Sequence, residues 1–448
     1  MQNRSTICSL STAPSGGALA IIRMSGPNAL SIFSNLSVAT FKSHEAKLCQ
    51  LIYKKELVDE AVVTFFEQGK SFTGEDTLEI TCHASNYITQ KILGALCECG
   101  AVPARPGEFT MRAFMNGRMD LSQAEAIADL IASESKASHE IAMQQMRGGF
   151  SSEIKTLREE LINFASLIEL ELDFAEEDVE FADRKQLTGL FEKINSGIEK
   201  LIASFEYGNV IKNGVPVAIV GVPNAGKSTL LNALLNEEKA IVSNIAGTTR
   251  DVIEDTIFIE GIQFRFIDTA GLRNETSDEI EKVGIERAYS KIDQSSIVLY
   301  CCSAKTNDTN EDLTEARKKV ISLQKAHPSK NILLVGTKAD EDLRKEDVIF
   351  VSAKEKRISA LKQELVSIMK NKQESAGNIV VTNVRHLDAL KKAHASLGAA
   401  SAGIRMGSSG DLVAMDIRAT IHYLGEITGT ISTEDLLGNI FSKFCIGK

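Results

Sequence analysis

The stretch GVPNAGKS (221–228) constrains the fold of this chain more than any other feature, because an apolar run precedes it and a helical pattern follows it. The run VPVAIV (215–220) is typical of a buried strand, and STLLNALLN (228–236) is typical of a helix. A glycine-rich loop between a strand and a helix can curl so that successive amides point at phosphate oxygens. Lys227 can then reach the terminal phosphates and Ser228 can hold a magnesium ion, so the stretch predicts a phosphate-binding loop.

The chain around this loop alternates short apolar strands with helical segments. Such alternation is typical of a parallel sheet covered by helices, so the middle of the chain is predicted to be an α/β domain of the P-loop type. The strands are predicted at VPVAIV (215–220), QFRFI (263–267), IVLYCC (297–302), NILLVG (331–336) and VIFVSA (348–353).

Three further segments follow the loop in the order expected of a GTPase. DTAG (268–271) comes after a strand, where a carboxylate can hold the magnesium shell and a glycine amide can sense the last phosphate. TKAD (337–340) and SAK (352–354) end later strands and resemble base-reading elements. Asp340 would accept hydrogen bonds from the ring NH and amino group of guanine, which adenine cannot supply. The sequence therefore predicts GTP and GDP binding.

One residue departs from the GTPase pattern, since Thr337 stands where the base-reading element carries asparagine. Threonine keeps a hydroxyl but loses an amide, so we expect weaker nucleotide affinity with the guanine preference preserved. The predicted nucleotide-binding residues are Asn224, Ala225, Gly226, Lys227, Ser228, Thr229, Ser243, Asn244, Ile245, Ala246, Gly247, Thr248, Thr249, Asp268, Thr269, Ala270, Gly271, Thr337, Lys338, Ala339, Asp340, Ser352, Ala353 and Lys354.

Hydrolysis needs a group that orients water, and Leu272, the residue after DTAG, cannot do this. Ras-like enzymes place a glutamine there. The segment SNIAGTTRD (243–251) resembles GTPases that use potassium. That resemblance implies a potassium ion held by Asn224, Ser243, Ile245 and Thr248, a magnesium ion held by Ser228 and Thr249, and water positioned by Glu281. Without the resemblance, Glu281 is interpreted as a solvated helix charge.

Amphipathic helices flank this block on both sides. Apolar residues recur there at helical spacings, and a helix with one apolar stripe needs a partner. The simplest arrangement is one helical domain interrupted by an inserted domain. The stripes are Ile154, Leu157, Leu161, Ala165, Ile168 and Leu172 before the block, and Leu387, Leu390, Leu397, Val413, Ile417, Ile421 and Leu424 after it. The predicted domains are an α+β N-terminal domain (1–117), a helical domain in two parts (118–210 and 373–448) and the inserted GTPase domain (211–372).

Charge and composition limit the setting in which the chain works. A net charge of −10 excludes a nonspecific nucleic-acid binder, so any RNA contact must come from a local basic patch. No apolar run reaches the ~18 residues of a membrane span, and the start lacks the apolar core of a signal peptide. A cytoplasmic protein is expected. Its eight cysteines contain no CxxC pair, so they are expected to be reduced thiols, most of them in the core.

Several longer segments, spread over all the predicted domains, resemble the MnmE (TrmE) family, the TrmE-Era-like GTPases that modify tRNA uridines. The chain departs from the family pattern at His83-Ala84-Ser85, where His-Gly-Gly is usual, and at Arg118, where lysine is usual. The segments are LAIIRMSG (19–26), SFTGEDTLEI (71–80), ARPGEFTMRAFMNGRMDLSQAEAIADLI (104–131), LDFAEEDVE (172–180), GVPNAGKS, AGTTRD, DTAGLR, LGEITG and EDLLGNIFSKFCIGK.

The resemblance implies that the N-terminal domain binds a tetrahydrofolate one-carbon donor and forms a homodimer. The residues that match the family's folate contacts are Arg23, Glu79, Arg118 and Lys448. A carboxylate such as Glu79 suits the donors of a pterin, and arginine suits the carboxylates of the glutamate tail. Arginine at position 118 can make a bidentate contact that lysine cannot, so the substitution is expected to tune affinity.

The terminal sequence FSKFCIGK (441–448) holds a cysteine four residues from the end. Prenylation signals need two aliphatic residues after the cysteine, and Gly447 is not one, so a lipid anchor is not predicted. The family resemblance implies that Cys445 takes part in the one-carbon chemistry, where a neighbouring Arg118 or Lys448 would favour the thiolate. The alternative is a buried cysteine that only packs with its neighbours.

The implied function is addition of an aminomethyl or carboxymethylaminomethyl group to carbon 5 of the wobble uridine of certain tRNAs. Folate supplies the carbon, glycine or ammonium supplies the nitrogen, and a flavoprotein of the MnmG (GidA) type is the partner, in a heterotetramer. The chain has no flavin-type GxGxxG, so FAD is expected on that partner. Two alternatives stay open, a ribosome-assembly GTPase switch and a stand-alone folate-dependent aminomethyl transferase.

Overall fold

The computed structural model describes residues 5–13, 17–173, 184–238, 255–267, 290–304, 310–339, 347–406 and 408–447. Two compact units are distinguished within the chain. The first contains Met1–Ile131, Gln144–Asp183 and Ala399–Lys448, and the second contains Ala132–Met143 and Arg184–Gly398. Each unit combines a sheet with helices, so the predicted mixture of α/β and helical architecture is confirmed. The three predicted domain boundaries stay a prediction.

Strands and helices are numbered here in chain order within the described residues. The strands are β1 (Ile7–Leu10), β2 (Leu19–Ser25), β3 (Ala46–Tyr53), β4 (Glu56–Phe66), β5 (Thr77–His83), β6 (Val102–Pro103), β7 (Val215–Gly221), β8 (Asp255–Ile259), β9 (Ile262–Phe266), β10 (Ile297–Ser303), β11 (Asn331–Thr337) and β12 (Ile349–Phe350). The helices are α1 (Ala29–Phe33), α2 (Asn86–Glu98), α3 (Glu108–Met115), α4 (Leu121–Ala132), α5 (Lys136–Met146), α6 (Gly149–Asp173), α7 (Arg184–Asn213), α8 (Lys227–Glu238), α9 (Asn310–Ala326), α10 (Ser359–Ala376), α11 (Val384–Met406), α12 (Gly410–Thr428) and α13 (Glu434–Phe441).

The sheet of the first unit has the strand order β3-β4-β5-β2-β1-β6. The short β1–β6 pair is parallel and the other pairs are antiparallel. Side chains alternate between the two faces of a strand, and Ile22, Met24, Leu78 and Ile80 are buried on the core side. The alternate positions, which include Arg23, therefore project from the opposite face.

Helices α6 and α12 pack against each other in the first unit. Their apolar stripes are the ones predicted from sequence, because Ile154, Leu161, Ile417 and Leu424 are all fully buried. The helix prediction is confirmed for these segments. None of the described helices combines the length and the apolar composition that a membrane crossing would need.

The sheet of the second unit has the order β12-β11-β10-β7-β9-β8. All of its pairs are parallel except the β8–β9 hairpin. The five predicted strands are confirmed, whereas β8 was not predicted from the sequence. Parallel strands end at one edge of a sheet, so the segments that follow β7, β10 and β11 meet there.

Candidate functional site

The loop after β7 curls tightly because two residues in it adopt left-handed backbone conformations. Asn224 has φ 59° and Gly226 has φ 78°. At the start of the loop, Gly221 has φ 142°, and a Cβ there would lie 2.1 Å from the carbonyl oxygen of Cys301 on the neighbouring strand. Only glycine fits at position 221, so β7 and β10 approach each other directly beneath the loop.

Lys227 begins α8, and its side chain folds back over the loop. The Lys227 Nζ lies 3.0 Å from the carbonyl oxygen of Val222 and 3.4 Å from that of Gly221. The first amides of an α-helix have no acceptor within the helix, and those of α8 follow directly after the loop. These amides and the buried Lys227 ammonium can donate hydrogen bonds to the phosphates of a nucleoside triphosphate. The half-buried hydroxyl of Ser228 can supply an oxygen ligand to its magnesium ion.

The segment after β11 is fastened to this loop by two side chains. The buried hydroxyl of Thr337 donates to the carbonyl of Ala225, with the carbonyl of Cys302 3.0 Å away as a second acceptor. Lys338 Nζ donates to the carbonyl of Asn224 at 2.7 Å. The predicted base-reading and phosphate-binding segments therefore lie together. Threonine in place of asparagine still connects them, with one hydroxyl proton shared between two carbonyls.

The predicted residues Ser352, Ala353 and Lys354 lie beside the same segment. The backbone NH of Ala339 donates to the carbonyl of Val351 at 3.2 Å, and Arg357 Nη2 donates to the carbonyl of Ala339 at 2.8 Å. Ser352 is buried, Ala353 is half-buried and Lys354 is exposed. Chain segments far apart in sequence thus converge at the carboxyl edge of the sheet.

Cys301 lies on β10 directly below the phosphate loop. Burial raises the pKa of the Cys301 thiol to about 12, although Lys227 opposes the shift. The thiol is therefore uncharged at neutral pH and acts as a packing group. Every cysteine is free. Cys8, Cys49, Cys82, Cys301 and Cys302 are buried, Cys97 and Cys99 are half-buried, and Cys445 is exposed.

The remaining predicted nucleotide and metal residues lie outside the described residues, together with the predicted water-positioning carboxylate and the last folate residue. Of the four predicted potassium ligands, Asn224 is described, and its side chain is exposed on the loop. The residues outside are Ser243, Asn244, Ile245, Ala246, Gly247, Thr248, Thr249, Asp268, Thr269, Ala270, Gly271, Glu281, Asp340 and Lys448.

A second candidate site lies in the first unit, on the sheet face that carries Arg23. Arg23 and Glu79 are opposite each other in the β2–β5 register. The Arg23 Nε and Nη2 atoms both donate to Glu79 Oε1, at 3.0 and 2.7 Å. The guanidinium carbon lies 5.6 Å from the ring centre of Phe72 and 5.8 Å from that of Phe109, so two aromatic rings hold the arginine in place.

The C-terminal segment reaches this site. The Gly447 carbonyl accepts a hydrogen bond from Ser11 Oγ at 3.1 Å and another from Arg23 Nη1 at 3.4 Å. The Cys445 carbonyl accepts one from the backbone NH of Gly107 at 3.3 Å. The structure thus brings together the predicted residues Arg23 and Glu79, and places the C-terminal segment that carries Cys445 against Arg23 through Gly447.

The side chains of this segment do not pack as the packing alternative requires. Cys445 is exposed, and so is Ile446. Only Phe444 turns inward, with its ring centre 5.3 Å from that of the buried Phe441. The interpretation of Cys445 as a buried packing residue is therefore wrong, because hydrogen bonds from the backbone hold the segment with the thiol facing outward.

Arg118 is exposed, and its Nη1 atom donates to the carbonyl of Gly69 at 2.9 Å. No contact within the described part of the chain joins it to Arg23, Glu79 or Cys445. Sequence reasoning missed Ser11, Phe72, Phe109 and Gly107, the residues that contact Arg23 or the C-terminal segment. Phe72, Gly107 and Phe109 fall inside the motifs SFTGEDTLEI and ARPGEF, whereas no local signal identifies Ser11.

Two family models match the chain. The model described as the GTP-binding protein TrmE N-terminus matches residues 6–118. The model described as the MnmE helical domain matches residues 121–445, a range that spans the inserted GTPase sheet. Together the two matches cover the N-terminal sheet, the flanking helices and the phosphate loop.

Similar proteins carry the name tRNA modification GTPase MnmE. The one from Cytophaga hutchinsonii is 50% identical over 459 residues, covering 99% of this chain and 98% of its own length. Relatives from Flavobacterium psychrophilum and Bacteroides thetaiotaomicron are 48% identical, over 463 and 471 residues, and the matches cover at least 99% of each chain. Among solved structures, the G domain of the T. maritima FeoB iron transporter matches 34% of this chain and 97% of its own length, at 22% identity. The TM-score of that match is 0.24.

Proposed function

The chain belongs to the MnmE (TrmE) family of tRNA modification GTPases, and on that premise we propose that it modifies carbon 5 of the wobble uridine of certain tRNAs. The added group is aminomethyl or carboxymethylaminomethyl, its carbon comes from a tetrahydrofolate derivative, and a flavoprotein of the MnmG type supplies the redox chemistry. The observation that carries the proposal is that full-length similarity coincides with a phosphate loop and with a paired Arg23 and Glu79 that the C-terminal segment reaches through Gly447.

The phosphate loop accounts for the GTP hydrolase activity that the family name states. Lys227 and the first amides of α8 would bind the phosphates, and Ser228 and Thr249 would hold a magnesium ion. When bound, that ion neutralises charge on the phosphates. Lys227 would exchange its present carbonyl partners for phosphate oxygens, a stronger interaction for an ammonium group.

Guanine selection is assigned to Asp340, whose carboxylate would be left unpaired beside adenine. The link from Thr337 to Ala225 keeps the base-reading segment in register with the phosphate loop, so binding of the base and binding of the phosphates support each other. A potassium ion held by Asn224, Ser243, Ile245 and Thr248 would take the role of an arginine finger, and Glu281 would orient the attacking water.

The folate site is assigned to the face of the N-terminal sheet. Glu79 Oε1 already accepts two hydrogen bonds from Arg23, while its Oε2 accepts none within the described residues, which leaves an acceptor for the donors of a pterin. Arg23 is committed to Glu79 and to Gly447, so the exposed Arg118 is better suited to the carboxylates of the glutamate tail. Lys448 would assist, and the exposed Cys445 thiol would act as the nucleophile.

A homodimer and a cytoplasmic heterotetramer with the flavoprotein complete the proposal. Support for the homodimer comes from the edge of the N-terminal sheet, where Leu48 on β3 is 71% exposed and its cross-strand partner Val62 is 41% exposed. Ile52 and Leu57 form a second exposed apolar pair in the same two strands. Apolar pairs on an edge strand are costly to leave in water, and a second copy would cover them.

The nucleotide part of the proposal is tested with Asp340→Asn in the full chain. We expect wild-type protein to bind GDP and to exclude ADP, and the variant to lose that selectivity because it can no longer accept two hydrogen bonds from guanine. Asp347→Asn is the matched control, since within the described residues its exposed carboxylate pairs only with Arg317 on the surface. Unchanged discrimination between GDP and ADP in Asp340→Asn would remove the assignment.

A further inference from the structure

The C-terminal segment is held by its backbone on both sides of two exposed side chains. The carbonyl of Cys445 accepts a hydrogen bond from Gly107, and the carbonyl of Gly447 accepts one from Ser11. Between these anchors, the side chains of Cys445 and Ile446 are exposed. A segment fixed in this manner presents its side chains in a defined direction while leaving them accessible.

Two glycines allow the segment to lie directly on the backbone of the first unit. Gly447 has φ 93°, and a Cβ there would lie 2.4 Å from the carbonyl oxygen of Leu10. Gly107 has φ 65°, and a Cβ there would lie 2.5 Å from the carbonyl oxygen of Phe441. Neither position tolerates a side chain without displacement of the segment, so the docked geometry is specific.

The backbone and the side chain of Ser11 make different hydrogen bonds, and the side chain donates to Gly447. Its backbone NH donates to the carbonyl of Ile21 at 2.7 Å, which continues the β1–β2 pairing and fixes the residue. The neighbouring hydroxyl of Thr12 accepts from the NH of Ile21 and is turned to that bond. Both Ser11 Oγ and Arg23 Nη1 donate to the carbonyl of Gly447, and the bond from Ser11 is the shorter one; the Nε and Nη2 atoms of Arg23 donate to Glu79.

We infer that Ser11 is a positioning residue, whose hydroxyl seats the segment 445–447 on the end of β1 and so fixes where the exposed Cys445 thiol is presented, two residues before the Gly447 carbonyl that Arg23 contacts. The inference rests on the proposed role of Cys445 in one-carbon transfer. Ser11 itself donates to a backbone carbonyl and exchanges no proton with substrate. Of the two bonds that the described residues make to the carbonyl of Gly447, removal of the Ser11 hydroxyl leaves the longer one from Arg23.

The test uses the full chain and compares Ser11→Ala with Ser11→Thr, which restores a hydroxyl. Ser442→Ala is the matched control, because among the described residues Ser442 Oγ bonds only at its own helix end, to the carbonyl of Asn439 at 2.9 Å. The first readout is amide hydrogen exchange in the peptide that contains Gly107, whose NH donates to the Cys445 carbonyl of the seated segment, measured by mass spectrometry. We expect roughly fivefold faster exchange in Ser11→Ala, the effect of one hydrogen bond of ordinary strength, and wild-type exchange in the other two.

The second readout is wobble-uridine modification with the flavoprotein partner. In Ser11→Ala we expect kcat to fall with the KM for tRNA unchanged, and Ser11→Thr to recover it. Gly447→Ala gives an independent displacement of the segment without a change in the sheet, and the same kcat effect is expected. Exchange in Ser11→Ala equal to wild type would overturn the inference. Faster exchange in Ser11→Ala with unchanged modification would show that Ser11 seats the segment. It would contradict the proposed role of Cys445 in the one-carbon transfer.

Discussion

At the scale of single residues, Gly221 sets the geometry of the phosphate loop. A side chain there meets the Cys301 carbonyl at 2.1 Å and must also adopt φ 142°. We expect Gly221→Ala to lower the free energy of unfolding by about 2–5 kcal/mol, because the cost of the strained backbone adds to that of the steric overlap with Cys301. The substitution should also abolish GDP binding. Thermal unfolding and fluorescent-nucleotide titration measure the two effects.

Gly398→Ala is the control for that substitution. Gly398 lies in helix α11, and apart from the neighbouring backbone of that helix no heavy atom of the described residues lies within 4 Å of the added Cβ, so the change should stabilise the helix by about 0.5–1 kcal/mol. Nucleotide affinity should not change. Equal behaviour of the two variants would mean that β7 and β10 do not approach each other as described.

Thr337 provides a second test at this scale. Thr337→Val keeps the shape of the side chain but leaves the buried carbonyls of Ala225 and Cys302 without its proton, at a cost of about 1–3 kcal/mol. We expect a lower melting temperature and weaker GDP binding, with the preference for guanine over adenine retained. Thr337→Ser should behave like wild type. A Val variant with wild-type affinity would show that the hydroxyl does not connect the two segments.

Sequence reasoning identified Lys227 and Thr337 because phosphate and base recognition require short local patterns. It did not identify what the Thr337 side chain touches, since its partner Ala225 is 112 positions away in the chain. Ser11 and Gly447 are 436 positions apart, and neither residue type signals a contact. Local chemistry is therefore predictable from sequence, whereas pairings between distant segments depend on the folded backbone.

At the scale of elements, the α6–α12 pair tests the packing of the first unit. Leu424 in α12 is fully buried, and Leu424→Ala should cost about 2–5 kcal/mol because it leaves a cavity. Leu412→Ala is the matched control on the same helix, where the side chain is 55% exposed and the change should stay within about 0.5 kcal/mol. Chemical denaturation compares the two, and equal costs would contradict the described helix face.

Strands were predicted well where they are central and poorly at the edges. β7, β10 and β11 are buried on both faces, so their sequences are continuous apolar runs. β8 lies at the edge of the sheet and its residues alternate in exposure. Its sequence is therefore not a continuous apolar run, and for this reason the strand was not predicted. β12 was predicted over 348–353, and within the described residues it pairs with β11 at Ile349 and Phe350.

At the scale of the whole molecule, the proposed potassium site predicts a dependence on the monovalent cation. Replacing potassium by sodium should collapse GTP turnover, because the smaller ion fits the predicted oxygen ligands poorly, while GDP affinity should change little. Steady-state phosphate release in each salt at constant ionic strength measures this. Asn224→Ala should make turnover low in both salts. Equal rates in sodium and potassium for the wild-type chain would refute the potassium role.

The broad organisation could be inferred from sequence because a phosphate loop and amphipathic stripes are each strong local signals. The approach of the C-terminal segment to Arg23 could not, since it depends on contacts between both ends of the chain. A net charge of −10 indicates that tRNA recognition needs a local basic surface or the partner protein. The proposed modification reaction would therefore depend on that surface or on the proposed partner.

The most direct test of that reaction is the nucleoside mass profile of tRNA from cells that lack this chain, compared with cells in which it is restored. We expect the wobble-uridine adducts to disappear on deletion and to return with the wild-type chain, but not with Cys445→Ser. An unchanged profile after deletion would contradict the proposed modification function and would favour a GTPase switch of the ribosome-assembly kind.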